Sequence, residues 1–251
     1  MNNTYHHPLF YQLPPSLRVL FSMILLIMGM GYVFALIQIY EVHAGRDGNA
    51  QLTVEDIRIA YRGSDNDTRL EAALKGPMSS MASKEEILSI VAWVQNGATE
   101  QEYEATVKSV IEQRCSTCHT PESNPHIPSF QSYSDISKVV QKDSGVSIGT
   151  LVRVSHIHLF GLTFIFAILG FIFSHAYIPW KYVKSVIIII PFLAIILDVG
   201  AWWLTKVSTP FAYVVVGGGA LMGISFAFQW TVSMYQMWFY KCPPDKECIV
   251  N

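Results

Sequence analysis

The stretch Val154–Trp180, VSHIHLFGLTFIFAILGFIFSHAYIPW, decides the fold, because its 27 residues contain no Asp, Glu, Lys or Arg. A bilayer core takes about 20 apolar residues per helix, and three further stretches are long enough. Leu17–Tyr40 has no charge after Arg18, Ser185–Thr205 has only Asp198, and Val207–Tyr240 has none. The last is 34 residues long, so it must include interfacial ends or tilt strongly. Tyr177, Trp180, Trp202, Trp203, Trp238 and Tyr240 collect near the ends, where aromatic belts form. The pattern predicts an all-α chain with four transmembrane helices. Of the 251 residues, 51% are hydrophobic and 14% charged, against roughly 25% charged in soluble chains.

The charges sit almost entirely between the first two spans. Residues 41–152 carry 16 acids and 10 bases, and the rest of the chain carries 3 acids and 7 bases. A uniformly soluble enzyme is excluded, and so is a basic nucleic-acid binder. The expected organisation is a cytoplasmic N-terminal segment (1–16), a transmembrane signal anchor (17–40), an aqueous domain (41–152), a three-helix bundle (153–240) and a cytoplasmic tail (241–251). A cleaved signal peptide has an apolar core of about 7–15 residues. The first span is longer, and Val42-His43-Ala44 is a poor cleavage site. Lys181, Lys184, Lys241 and Lys246 favour a cytoplasmic side for the ends they mark. The aqueous domain then faces the periplasm of a bacterial inner membrane, although Arg153 and Lys206 fall on the wrong side for this rule.

The aqueous domain reads as short helices. Ser83–Asn96 has a capping box, Ser83 with Glu86, and an apolar face of Ile87, Ile90, Val91 and Val94. A second helix is expected over Glu100–Thr117, with Tyr103, Val107, Val110 and Ile111 at helical spacing. It leads into Cys115-Ser116-Thr117-Cys118-His119. Two thiols three positions apart on a helical turn can both add to the vinyl groups of one haem, and the adjacent imidazole can reach its iron. The alternatives are a structural disulfide, a thioredoxin-type redox pair and half of a zinc site. A redox pair normally sits in a βαβ context, and a zinc site needs two further ligands, for which this domain has no other cysteine. Covalent haem c also requires an exported domain, as the topology provides.

Tyr103–Pro121 (YEATVKSVIEQRCSTCHTP) resembles the haem-attachment helix of planctomycete-type cytochromes. Leu74–Gly97 (LKGPMSSMASKEEILSIVAWVQNG) resembles the methionine-ligand segment and last helix of a class I cytochrome c, here placed ahead of the attachment helix. The whole chain, with Arg153–Phe160 (RVSHIHLF) opening its second span, resembles a family of proteobacterial membrane-anchored c-type cytochromes. The resemblance implies a cytochrome c-like domain between the first two spans and brings no established reaction with it. It favours Met78 or Met81 as sixth iron ligand. His126, seven residues after His119, is the other candidate, and an open or membrane-derived position is the third. Methionine ligation would raise the haem potential relative to bis-histidine. The plain alternatives are core packing for the methionines and a surface loop for His126.

Ionisable groups inside spans are costly and often functional. His156 and His158 open the second span, about 200° apart on a helix, and His175 lies about 25 Å further along. Two stacked b-haems need four placed histidines, which the spans do not supply. One haem b held by His43 and either His156 or His158, a metal site, a quinone site, or plain interfacial packing remain as readings. Asp198 lies some 12 Å inside the third span. It could pass a quinol proton together with a histidine, or simply hydrogen-bond Trp202 or Thr205. Gly217, Gly218, Gly219 and Gly223 fit close helix packing. Cys242 and Cys248, in a reducing compartment, suggest no function.

Three functions follow as expectations. The first is an electron carrier that exchanges electrons with a basic soluble cytochrome or a respiratory complex. The second is a quinol–cytochrome c oxidoreductase subunit using Asp198 with His156 or His158. The third is a non-catalytic assembly subunit or haem sensor.

Overall fold

The computed structural model describes residues 8–122, 127–180 and 182–241. His126, Lys181, Cys242, Lys246 and Cys248 lie outside the described residues. In chain order the helices are α1 (Pro15–His43), α2 (Val54–Arg62), α3 (Arg69–Lys75), α4 (Lys84–Gln95), α5 (Glu100–Glu102), α6 (Lys108–Arg114), α7 (Tyr133–Ile136), α8 (Ile148–Phe173), α9 (Val183–Thr205) and α10 (Phe211–Trp238). A π-helical segment, Tyr103–Val107, joins α5 to α6. Among the described residues there is no strand, only an isolated antiparallel bridge between Thr68 and Lys142. The chain is all-α, and α1, α8, α9 and α10 are each long and apolar enough to cross a membrane.

Contacts divide the chain into two compact units. One holds the described residues of Met1–Ile37, Ile148–Leu204 and Pro210–Asn251, and the other holds Gln38–Ser147 with Thr205–Thr209. In the first unit large apolar side chains such as Phe164, Ile196 and Ile224 stay exposed, as lipid-facing residues do. Pro191 interrupts α9, and its missing N–H orphans the carbonyl of Ile187 four residues back. The fully buried Gln229 of α10 donates its amide to that carbonyl at 3.2 Å. A proline inside a span is thus tolerated because a neighbouring helix satisfies the freed group. Of the three consecutive glycines, only Gly218 meets a neighbour: a Cβ there would lie 2.9 Å from the Asp198 Cβ. Gly223 makes room in the same way for the hydroxyl of Tyr32 on α1.

The span ends differ from those read off hydropathy. α8 begins six residues before Val154, because Arg153 ends an apolar run without ending a helix. It stops at Phe173, where Ser174 and His175 tighten the last turn onto Phe171 and Ile172 carbonyls. α10 begins only at Phe211, behind Pro210, so the 34-residue apolar stretch does contain interfacial ends.

The second unit is held by caps. Thr53, Thr68, Ser83, Thr99 and Ser132 each accept a hydrogen bond from the N–H three residues on, and an acid occupies that third position every time. Such caps satisfy helix-end donors that no intrahelical carbonyl can reach. They explain two buried acids, since Asp56 and Glu71 return their carboxylates to the Thr53 and Thr68 backbones. Ile90, Trp93 and Val94 of α4 pack against Tyr103, Val107 and Ile111 to form the core, which Phe130, Ile136 and Val139 close. Lys206 also belongs to this unit. Its ammonium donates to the carbonyls of Tyr61, Ser144 and Val146 at 2.7–3.1 Å, so a local structural task accounts for a lysine that the charge rule could not place.

Candidate functional site

The helix that carries the motif ends at Arg114 rather than Thr117. Cys115 to His119 then continue as a tight turn: Cys118 and His119 donate their N–H groups to the Cys115 carbonyl at 3.1 and 3.0 Å. Both thiols are free, Cys115 half-buried and Cys118 exposed. Burial first, and then the nearby Glu86 and Cys118, push the Cys115 thiol above its ordinary pKa. Reactive redox cysteines are tuned in the opposite direction. Among the described residues no group of three or more His, Cys, Asp or Glu is placed to share a metal ion, which disfavours the zinc alternative.

His119 is the most constrained member of the turn. Its Nδ1 lies 2.7 Å from the carbonyl oxygen of Pro128. A carbonyl can only accept, so Nδ1 carries the proton and Nε2 keeps its lone pair for a metal. Phe130 stacks on the ring, centroids 4.1 Å apart and planes within 2° of parallel. The backbone around Phe130 fixes this arrangement. Phe130 N–H donates to the His119 carbonyl at 3.0 Å, Ser116 Oγ donates to the Phe130 carbonyl at 3.1 Å, and Gln131 spans the carbonyls of Ser116 and His119. Residues 128–131 therefore strap the motif in place.

A haem c fits the donor set present here. Two free thiols share one turn, and a ring is held with Nε2 as its acceptor. Met78 and Met81 lie in the turns between α3 and α4, at 36% and 54% exposure, so they do not fill the core as the plain reading had it. Met81 stands two residues before the Ser83 cap, and Glu86, in the first turn of α4, pairs with Arg114 at 3.1 Å. The methionine segment is thereby tied to the residue before Cys115.

In the membrane bundle, Asp198 is 5% exposed and accepts a hydrogen bond from the Trp202 indole one turn on. The rings of Trp202 and His158 pack edge to face, centroids 5.0 Å apart at 85°. His158 Nδ1 donates to the Val154 carbonyl at 2.9 Å. The bundle brings Asp198, Trp202 and His158 together, and not His156, which is exposed and packs on Phe160. Trp203 binds Ser155 at 3.1 Å. His43 belongs to the second unit and His156 and His158 to the first. His175 is structural: buried among Phe10, Phe21 and Phe171, it donates from Nδ1 to the Pro8 carbonyl at 2.8 Å.

Comparison with protein families matches a family model described as a transmembrane helical domain over residues 142–244. It covers α8, α9 and α10 and supports membership of a membrane protein family. Comparison with curated proteins returned no match, and neither did comparison with solved structures.

Proposed function

We propose that the chain is a membrane-anchored mono-haem c-type cytochrome that relays electrons at the periplasmic face of a bacterial inner membrane. The observation that carries this reading is the Nδ1–H bond of His119 to Pro128, which fixes the tautomer an iron ligand needs. Cys115 and Cys118 would hold the haem through thioethers, and His119 with Met78 or Met81 would ligate its iron. Bound haem would supply one-electron exchange at iron. The chain's own residues do the rest. Pro128 and Phe130 orient the imidazole, Gln131 locks the strap, and the Glu86–Arg114 pair anchors the methionine segment.

Acidic groups support docking of a basic partner such as a soluble cytochrome. Glu100, Glu104 and Glu112, against the single base Lys108 that pairs with Glu104, line a cavity beside Ser116 and Phe130, in a region with six more acids than bases. Raising salt from about 10 to 150 mM shortens the Debye length from roughly 30 to 8 Å. Reduction or oxidation by a basic cytochrome c should slow steeply over that range, and a flat profile would reduce the acidic surface to solubility alone. A reduced-minus-oxidised spectrum with pyridine haemochrome quantitation tests the cofactor itself: one c-type haem per chain supports the relay, and its absence removes it.

The Asp198–Trp202–His158 contact favours a second reading, quinol oxidation in the bundle with electrons passed to the haem. In that reading His158 or Asp198 accepts the quinol proton. A c-type signal alone favours the relay, and an added b-type signal favours a transmembrane donor path.

A further inference from the structure

The bundle holds a second polar feature, at the far end of α10 from Gly218, where Asp198 packs. A cavity of about 430 Å³ opens where the start of α1 meets the end of α10, lined by Tyr11, Arg18, Met237, Trp238, Tyr240 and Lys241. Its two charged groups are both cationic. Among the described residues neither Arg18 nor Lys241 pairs with a carboxylate. Arg18 lies over the Trp238 ring, 5.5 Å from its centroid, and its buried Nε has no hydrogen-bond partner. Trp238 is held in turn, donating its indole N–H to Ser22 at 2.9 Å. With its centre 5.5 Å from the centroid of a fixed indole, the guanidinium is held beside the cavity, and its donor fork suits a phosphate.

We infer that this cavity binds a phosphate-bearing anion, supplied as the headgroup of an anionic phospholipid. Arg18 and Lys241 neutralise the phosphate, and Tyr11 lines the same cavity. The lipid source follows from what lies beside Arg18. Val19, Leu20 and Met23 on α1 are each about half exposed, at 50–52%, and offer an apolar track for acyl chains. Basic pockets at the ends of transmembrane helices recognise lipid phosphates by the same combination of charge and interfacial depth.

The test uses the delipidated full-length protein in detergent, followed by native mass spectrometry with dioleoylphosphatidylglycerol or dioleoylphosphatidylcholine. The wild type should retain one phosphatidylglycerol, in preference to phosphatidylcholine. Arg18→Gln and Lys241→Gln should each weaken that retention about fivefold, the effect of one basic residue near an anionic membrane surface. A third arm adds inorganic phosphate. Failure of millimolar phosphate to displace the lipid identifies the lipid as the source, and displacement identifies free phosphate as the ligand of the same site. Equal retention of the two lipids would overturn the inference. So would wild-type retention in Lys241→Gln, whose exposed side chain leaves the fold intact even if Arg18→Gln does not.

Discussion

His119 in the aqueous unit and His158 in the bundle both donate from Nδ1 to a backbone carbonyl, over 2.7 and 2.9 Å, and so both reserve Nε2. The acceptors differ. For His119 it is Pro128, nine residues on, in a strap that also stacks Phe130 on the ring and binds through Gln131. For His158 it is Val154, one turn back in the same helix, and the exposed ring meets Trp202 only in an edge-to-face contact. A ring fixed by a loop that folds over it has its direction set by tertiary structure, as a metal ligand requires. A ring back-bonded to its own helix gains a tautomer and little else. What lends His158 interest is the buried carboxylate on the far side of Trp202.

The strongest way to break the comparison is to remove each ring in turn. His119→Ala should abolish the normal low-spin haem spectrum while leaving covalent attachment in part, and His158→Ala should leave that spectrum unchanged. Optical spectra of the two purified variants decide it, and a changed spectrum in His158→Ala would contradict the assignment of the iron ligand to His119.

Asp198→Asn sharpens the other half. The amide can still accept from Trp202 and fits against Gly218, yet it cannot take a proton near neutral pH. Under the quinol reading it slows haem reduction by quinol several-fold and leaves reduction by dithionite untouched. If Asp198 only braces Trp202, quinol kinetics per folded molecule stay normal.

A smaller effect is expected at Glu86. The Ser83 backbone N–H, and then Arg114, hold its carboxyl below its ordinary pKa of 4.5. A depressed folded-state pKa contributes stability at neutral pH that disappears as pH falls through that value. Glu86→Gln keeps the cap acceptor and removes the charge, so the variant should show a shallower loss of stability than wild type below about pH 4.5, measured by thermal unfolding at each pH. Superimposable pH profiles would detach this ion pair from the stability of the motif.

Long apolar runs made the four spans legible, because a bilayer leaves a helix no other way to satisfy its backbone. Their ends were less so: Arg153 interrupts hydropathy but not helix geometry. Five Ser/Thr-to-acid spacings mark the caps of the aqueous unit, although only Ser83 with Glu86 was read as one. Cys115, Cys118 and His119 announce themselves by spacing alone. Pro128, Phe130 and Gln131 do not, since the strap depends on which loop folds back over the turn, and no local pattern encodes that. The link from Asp198 to His158 was half legible. Sequence placed both near one surface, but helical phase against a neighbouring helix chose His158 over His156.

The most direct test of the central claim is the intact mass of the denatured full-length chain, expressed in a host that matures c-type cytochromes. The wild type should show the mass of the 28.2 kDa polypeptide plus one haem, and the Cys115→Ala, Cys118→Ala double variant the polypeptide alone. A wild-type chain at the bare polypeptide mass, or a double variant that still carries covalent haem, would contradict it.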